Sequence, residues 1–255
     1  MIRFSANLGF LWTELALPDA IRAAKASGFH AVECHWPYAT PSADVVTALQ
    51  ETNLKMLGLN TSRGDLAKGE NGVTAIAGLE TQARSFIDEA VGYATEIDCG
   101  NIHVMAGFAD AGDRKTQDVF AANLQYACKA AALHDKTILI EPLNQFDAPG
   151  YYLSTLEQAL AIVDKVGEPN LKIMFDCYHM QIMGGDVLRR FKNAFDSIGH
   201  VQFASVPDRA EPDTGEVNYP WLLNELKAAG YDGIFGAEYK PRATTDAGLK
   251  WLDQY

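Results

Sequence analysis

Short apolar runs rich in β-branched residues alternate with amphipathic stretches along all 255 residues of the chain. The runs that read as strands are Arg3–Asn7, Ala31–Cys34, Leu54–Leu59, Asn101–Met105, Thr137–Glu141, Lys172–Asp176, His200–Ala204 and Ile234–Glu238. Helical patterns occupy Ala16–Ser27, Ala43–Glu51, Leu79–Ile97, Gln117–Leu133, Thr155–Val166, Val187–Asp196, Pro220–Ala229 and Thr245–Leu252. Eight such units predict a closed parallel (β/α)8 TIM barrel, one domain spanning residues 1–255. An open doubly wound sheet is the alternative. It calls for a glycine-rich phosphate-binding turn after the first strand, and Asn7-Leu-Gly-Phe-Leu-Trp12 has no G-x-G-x-x-G. Two segments echo each other: Ala26-Ser-Gly-Phe-His-Ala-Val-Glu33 and Ala228-Ala-Gly-Tyr-Asp-Gly-Ile-Phe-Gly-Ala-Glu238. Each has a glycine suited to a left-handed helix stop, an aromatic, and a strand leading into a glutamate, the joint expected of a barrel unit. One long connection, Asn60–Gly78, is a candidate lid.

The bulk properties narrow the function. A net charge of −12 repels nucleic acid, so no nucleic-acid partner is expected. No apolar run is long enough to span a bilayer. The first residues enter strand-like sequence without a basic and then apolar leader pattern. Cys34, Cys99, Cys128 and Cys177 form no C-x-x-C pair and read as reduced thiols. A cytoplasmic enzyme is therefore expected, with a homo-oligomer compatible with these features.

Catalytic groups of such barrels project from the carboxyl ends of the strands. Those ends here carry Glu33, Glu141, Asp176 with His179 three residues on, Gln202 and Glu238. A single acid at a strand end is often only a solvated loop residue. Glu141, Asp176 and Glu238 on three late strands are different, because converging carboxylates repel one another unless a cation joins them. With the amide oxygen of Gln202 they make an oxygen-rich shell suited to Mg²⁺ or Mn²⁺. No histidine pair has the helical spacing of a zinc site. Arg209 after the seventh strand, and Lys240 and Arg242 after the eighth, are the nearby cations able to bind a substrate carboxylate. Arg63 on the long third loop is the next candidate. His35, Trp36 and Tyr38 read as a pocket wall, while Asn7 and His103 stand at strand ends with either a pocket or a core role open. Cys177, Met180 and Gln181 read as packing at a helix start.

Several segments carry a family resemblance: Phe4-Ser-Ala-Asn-Leu8, Val32-Glu-Cys-His-Trp-Pro-Tyr38, Ile140-Glu-Pro-Leu-Asn144, Asp176-Cys-Tyr-His-Met-Gln181, Gly215-Glu-Val-Asn-Tyr219 and Glu238-Tyr-Lys-Pro-Arg242. Together they resemble the hydroxypyruvate isomerase family of xylose-isomerase-like barrels, over essentially the whole chain. The resemblance implies that Glu141, Asp176, Gln202 and Glu238 are metal ligands, with Glu141 and Glu238 also the proton-transfer pair. It implies a substrate-contacting role for His179, and Glu33, Arg209 and Lys240 complete the expected substrate-binding set. Val206-Pro-Asp-Arg209 is more similar to the 2-oxo-tetronate isomerases, and Asn144–Gly150 to the hydroxypyruvate enzymes. The expected reaction is a metal-dependent aldose–ketose type isomerisation of a small hydroxy or keto acid, hydroxypyruvate to tartronate semialdehyde through an enediolate. The alternatives are a 2-oxo-tetronate isomerase, a sugar epimerase or dehydratase of the same superfamily, and, in another class, a metal-dependent DNA-repair endonuclease on the same barrel.

Overall fold

A computed structural model describes all residues, Met1–Tyr255. Eight parallel strands form one sheet: β1 Phe4–Asn7, β2 Ala31–Glu33, β3 Gly58–Asn60, β4 Asn101–His103, β5 Thr137–Ile140, β6 Leu171–Asp176, β7 Ile198–Phe203 and β8 Phe235–Ala237. Their spatial order is β2-β1-β8-β7-β6-β5-β4-β3. The last seam, between β2 and β3, is bridged by Val32 and Met56. Backbone bonds from Val32 N to Lys55 O at 3.0 Å and from Cys34 N to Gly58 O at 3.0 Å tie that seam together. The expected TIM barrel is thus present. The third strand begins later than its apolar run, because the regular ladder to β4 covers only Gly58–Asn60 and the residues before it make an isolated bridge to β2.

The outer layer consists of α1 Leu17–Ala26, α2 Ser42–Thr52, α3 Glu80–Glu96, α4 Arg114–Ala132, α5 Leu156–Val166, α6 Cys177–Met183, α7 Val187–Ala194 and α8 Tyr219–Ala228. Local chemistry accounts for their limits. Thr155 caps α5 by accepting from Gln158 N, and α5 buries Leu156, Ala159, Ile162 and Val166 against the barrel, a helical stripe. Asp113 caps α4 by accepting from Lys115 N and Thr116 N. Gly28 and Gly230 take φ of 89° and 111° just beyond α1 and α8, the left-handed stops that the echoed segments predict. Two differences from the helical pattern stand out. The short helix α6 stands apart before α7, and the last segment is a 3-10 helix, Asp246–Gln254.

In β5 the buried run Ile138, Leu139 and Ile140 is continuously apolar, as a strand covered on both faces requires. Trp251 from the final 3-10 helix packs edge-on to Phe4 and Phe203 with ring centroids 5.0 and 5.6 Å apart. Its Nε1 donates to Tyr239 Oη at 3.0 Å. This pins the C-terminal segment across β1, β7 and β8. Trp251→Ala is expected to cost about 3–5 kcal/mol of unfolding free energy in a urea titration. Trp251→Phe, which keeps most of the apolar volume, is expected to cost clearly less. Equal losses for the two variants would show that packing is not what holds this segment.

Candidate active site at the barrel mouth

The carboxyl ends of β5 to β8 place four polar side chains around one point, all at most 5% exposed: Glu141, Asp176, Gln202 and Glu238. The register explains this. Asp176 of β6 lies directly opposite Gln202 of β7, and Gln202 opposite Gly236 of β8. Glu238 lies two residues beyond Gly236, and therefore on the same face. Asp176 has two tasks. Its Oδ1 caps α6 by accepting from Tyr178 N at 2.9 Å, and its Oδ2 is left facing the site. That cap starts the helix that carries His179.

Three of the four, Asp176, Gln202 and Glu238, have hydrogen-bonding neighbours that orient them. Glu238 Oε1 accepts from Asn7 Nδ2 at 2.8 Å and lies 3.2 Å from His35 Nε2. Glu238 Oε2 accepts from Arg209 Nη2 at 2.5 Å. The Arg209 guanidinium also lies 3.7 Å from Asp176 Oδ2, sandwiched between the rings of Phe10 and Tyr178 at 4.9 and 5.1 Å. Gln202 Nε2 donates to Glu33 Oε2 at 2.8 Å. Gly9 is required beside this group, since a Cβ there would collide with the His35 ring.

The charges are set by burial and by Arg209. Burial, with Glu238 and Asp176 nearby, pushes the Glu141 carboxyl well above its usual range. Burial also raises Asp176 to about 7, against the pull of Arg209. For Glu238 burial is outweighed by Arg209 and His35, and the group falls to about 2. His179 is driven down to about 3 by burial and by Arg209, so it is neutral. His103, fully inside the barrel with its Nδ1 3.6 Å from Glu141 Oε2, falls to about 4 through burial and is also neutral.

Glu141 Oε1, Asp176 Oδ2 and Gln202 Oε1 are buried acceptors with no hydrogen-bond partner. Buried polar atoms are ordinarily paired, so three convergent orphan oxygens fit a hard divalent cation. Glu141, Asp176 and His179 each offer an atom within 4.8 Å of the others, which also makes His179 a geometric candidate for a ligand. The tautomer argues against it. Asn144 N donates to His179 Nδ1 at 3.0 Å, and Asn144 Nδ2 lies 2.8 Å from the same atom. The Asn144 amide cannot be turned over, because its Oδ1 accepts from Phe146 N and Asp147 N. Nδ1 therefore accepts, and the proton of the neutral ring is on Nε2. That Nε2–H, 3.7 Å from Glu141 Oε1 and 3.6 Å from Asp176 Oδ2, is a donor aimed into the site and has no lone pair for a metal.

Two expectations about substrate-binding residues change. Lys240 is exposed and joins the cluster only through its backbone N, which donates to Arg209 O at 2.7 Å. Strand-end position placed both cations alike, but the backbone past Glu238 turns the Lys240 side chain to solvent. Glu33 lies beneath Gln202 inside the barrel, in contact with Ser5, His200 and Gln202, and does not face the mouth. Arg242 turns away to Glu211 and Asp213. Arg63 stacks on Trp36 at 4.6 Å and donates to Asn71 Oδ1, so it borders the mouth. The long third loop is anchored there by a Gly72–Ala106 bridge. Sequence reasoning missed Phe10, Tyr178, Asn144 and His200. His200 had a signal, since it stands two residues before Gln202 on one strand face. Phe10 had none.

Residues 21–255 match the xylose isomerase-like TIM barrel family. The chain belongs to that family. It is 45% identical over its full length to a protein named 2-oxo-tetronate isomerase from Cupriavidus necator, covering 99% of that relative. It is 39% identical to the hydroxypyruvate isomerase of Escherichia coli, with both chains fully covered. The crystal structure of a protein named AP endonuclease, family 2, from Brucella melitensis superposes with a TM-score of 0.96 at 40% identity, covering 100% of this chain and 99% of that one. The family membership agrees with the barrel, and no helix is long and apolar enough to cross a membrane.

The raised carboxyls of this family member give a signed pH prediction. Unfolded carboxyls titrate near pH 4, whereas Asp176 holds its proton up to about 7 and Glu141 also stays protonated well above its usual range. The folded, metal-free protein thus binds more protons than the unfolded chain between these values, and its stability falls as pH rises through about 7. A cation must displace those protons. Divalent-ion affinity is therefore expected to rise from pH 6 to pH 8, with net proton release at pH 6. Calorimetry in two buffers of different ionisation enthalpy measures this, and identical heats in both would refute the assignment.

Proposed function

We propose that this isomerase interconverts a short 2-keto-3-hydroxy acid and its 2-hydroxy-3-oxo isomer, hydroxypyruvate and tartronate semialdehyde in the three-carbon case. The observation that carries the reading is the part-buried Arg209 guanidinium, 14% exposed, beside Asp176 and Glu238. A neutral sugar offers that guanidinium no anionic partner, whereas a substrate carboxylate does. The relatives named hydroxypyruvate isomerase and 2-oxo-tetronate isomerase support the same substrate class.

The reaction removes a proton from C3 and returns one to C2 through an enediolate, while the hydroxyl proton on O3 is lost and O2 gains one, so that the carbonyl moves from C2 to C3. Glu141 and Glu238 flank the site from β5 and β8 as the proton-transfer pair, and in the metal-free protein their environments already push their proton affinities apart, Glu141 up and Glu238 down. His179 Nε2–H donates to the oxygen on which charge develops. Phe10 and Tyr178 hold Arg209 flat so that its fork can meet the substrate carboxylate. Glu141, Asp176, Gln202 and Glu238 would hold Mg²⁺ or Mn²⁺, which as a Lewis acid would stabilise the enediolate oxygens.

The four-carbon 2-oxo-tetronate is a second reading, favoured by Val206-Pro-Asp-Arg209 and by the 45% identical relative. A nuclease reading, raised by the name of the Brucella melitensis protein, sits poorly with a net charge of −12.

The deciding experiment is proton NMR in D₂O with metal-loaded protein and each keto acid. Deuterium is expected at C3 of the substrate, and no exchange with either acid would overturn the reading. With metal occupancy confirmed, Glu141→Gln and Glu238→Gln are each expected to lower kcat by about 10²–10⁴-fold. Loss of a charge-assisted bond, about 1.5–3 kcal/mol, makes Arg209→Ala raise KM by about ten-fold or more. Lys240→Ala is expected to match the parent, and a KM effect at Lys240 instead of Arg209 would move the carboxylate site.

A further inference from the structure

Beneath Gln202 lies a buried group that the reaction itself does not use. Glu33 is 3% exposed, and its carboxylate is surrounded by polar side chains from β1 and β7. Ser5 Oγ donates to Oε1 at 2.5 Å, His200 Nε2 lies 3.0 Å from Oε1, and Gln202 Nε2 donates to Oε2 at 2.8 Å. Space for this assembly is left by Gly236. A Cβ there would fall 2.5 Å from Glu33 Oε1, 2.8 Å from Gln202 Cγ and 2.9 Å from His200 Nε2.

A glutamine amide has two ends of nearly equal shape, and only its oxygen can bind a cation. Turned over, the NH₂ would face the ion and its other ligands, and the position would become repulsive. Ser5 and His200 take up Glu33 Oε1, and Glu33 Oε2 accepts from Gln202 Nε2, so the NH₂ end of Gln202 is drawn downward. The oxygen Gln202 Oε1 is then left buried without a partner, as observed. The other acceptor near the NH₂ end, Glu238 Oε1, is 3.5 Å away, at the outer limit of a hydrogen bond.

We propose that Glu33, held by Ser5 and His200 in the space left by Gly236, is a positioning residue that fixes the amide of Gln202 with its oxygen toward the cation. This rests on the metal reading given above. Glu33 touches neither substrate nor ion and acts only through Gln202. Partners of this kind commonly change metal affinity by about 10–100-fold when removed.

A double-mutant cycle on the full-length protein tests the idea, with the Mn²⁺ dissociation constant measured by calorimetry and by electron paramagnetic resonance of free Mn²⁺. Gln202→Met and Glu33→Met are each expected to weaken Mn²⁺ binding by about 10–100-fold. The double variant is expected to be no weaker than Gln202→Met alone, because Glu33 has nothing left to orient. Glu33→Gln, whose amide oxygen can still accept from Gln202, is expected to recover part of the loss. Circular dichroism checks folding. If Glu33→Met fails to fold, Glu33→Gln and Gly236→Ala carry the same cycle, the methyl at position 236 crowding the three side chains. Losses that add, or parental Mn²⁺ affinity in the Glu33 variants, would overturn the positioning role alone. A parent protein that binds neither Mn²⁺ nor Mg²⁺ would overturn the metal reading and this inference with it.

Discussion

Three carboxylates brought to one dry point repel one another, and the rest of the barrel mouth is arranged around that repulsion. Two like charges 4 Å apart in a protein environment of effective dielectric 20 cost about 4 kcal/mol. Glu141, Asp176 and Glu238 answer this in different ways. Glu141 and Asp176 hold protons above their usual range, while Glu238 stays ionised because Arg209 and His35 lie against it. A divalent cation resolves the same conflict by letting all three ionise. Proton binding and metal binding are therefore two solutions to one electrostatic problem, and the two are linked.

Neighbours that touch neither ion nor substrate decide which atom each ligand-bearing group presents. Asn144 forces the His179 proton onto Nε2, which makes that ring a donor. Asn7 holds one oxygen of Glu238, and the α6 N-terminus holds one oxygen of Asp176. Glu33 holds the NH₂ end of Gln202. For His179, Asp176 and Gln202 one end is tied back and the other is left without a partner, while Glu238 is held at both oxygens, by Asn7 and by Arg209. The result is a set of preorganised acceptors suited to a cation, with the His179 Nε2–H among them as a donor that can stabilise charge developing on a substrate oxygen.

The family fold is shared by proteins with different names, so substrate choice rests on the loops above the strands. Here those loops contribute Phe10 after β1, the Trp36–Arg63 stack after β2 and β3, Tyr178 at the start of α6, and Arg209 after β7. Arg209 is the cation that the loops turn inward. Lys240 and Arg242, equally near in the chain to a strand end, are turned outward, to solvent and to Glu211 with Asp213.

The alternation of apolar runs and amphipathic stretches was enough to determine the barrel, because burial of a parallel strand or of one helix face writes a period directly into neighbouring residues. The same reasoning placed Glu141, Asp176, Gln202 and Glu238 at strand ends that a closed barrel must bring together, and Gly28 and Gly230 at their helix stops. What depended on a side chain's direction was beyond it. Whether β3 starts at Leu54 or Gly58 depends on a seam that Val32 and Met56 share across the chain. Whether Glu33 looks up into the mouth or sideways to Gln202 depends on His200 and Ser5, which come from β7 and β1. Arg209 and Lys240 read alike in sequence and were separated by loop paths. These are contacts between residues far apart in the chain, set by barrel closure and by competition for hydrogen-bond partners, and no local pattern of residue types records their outcome.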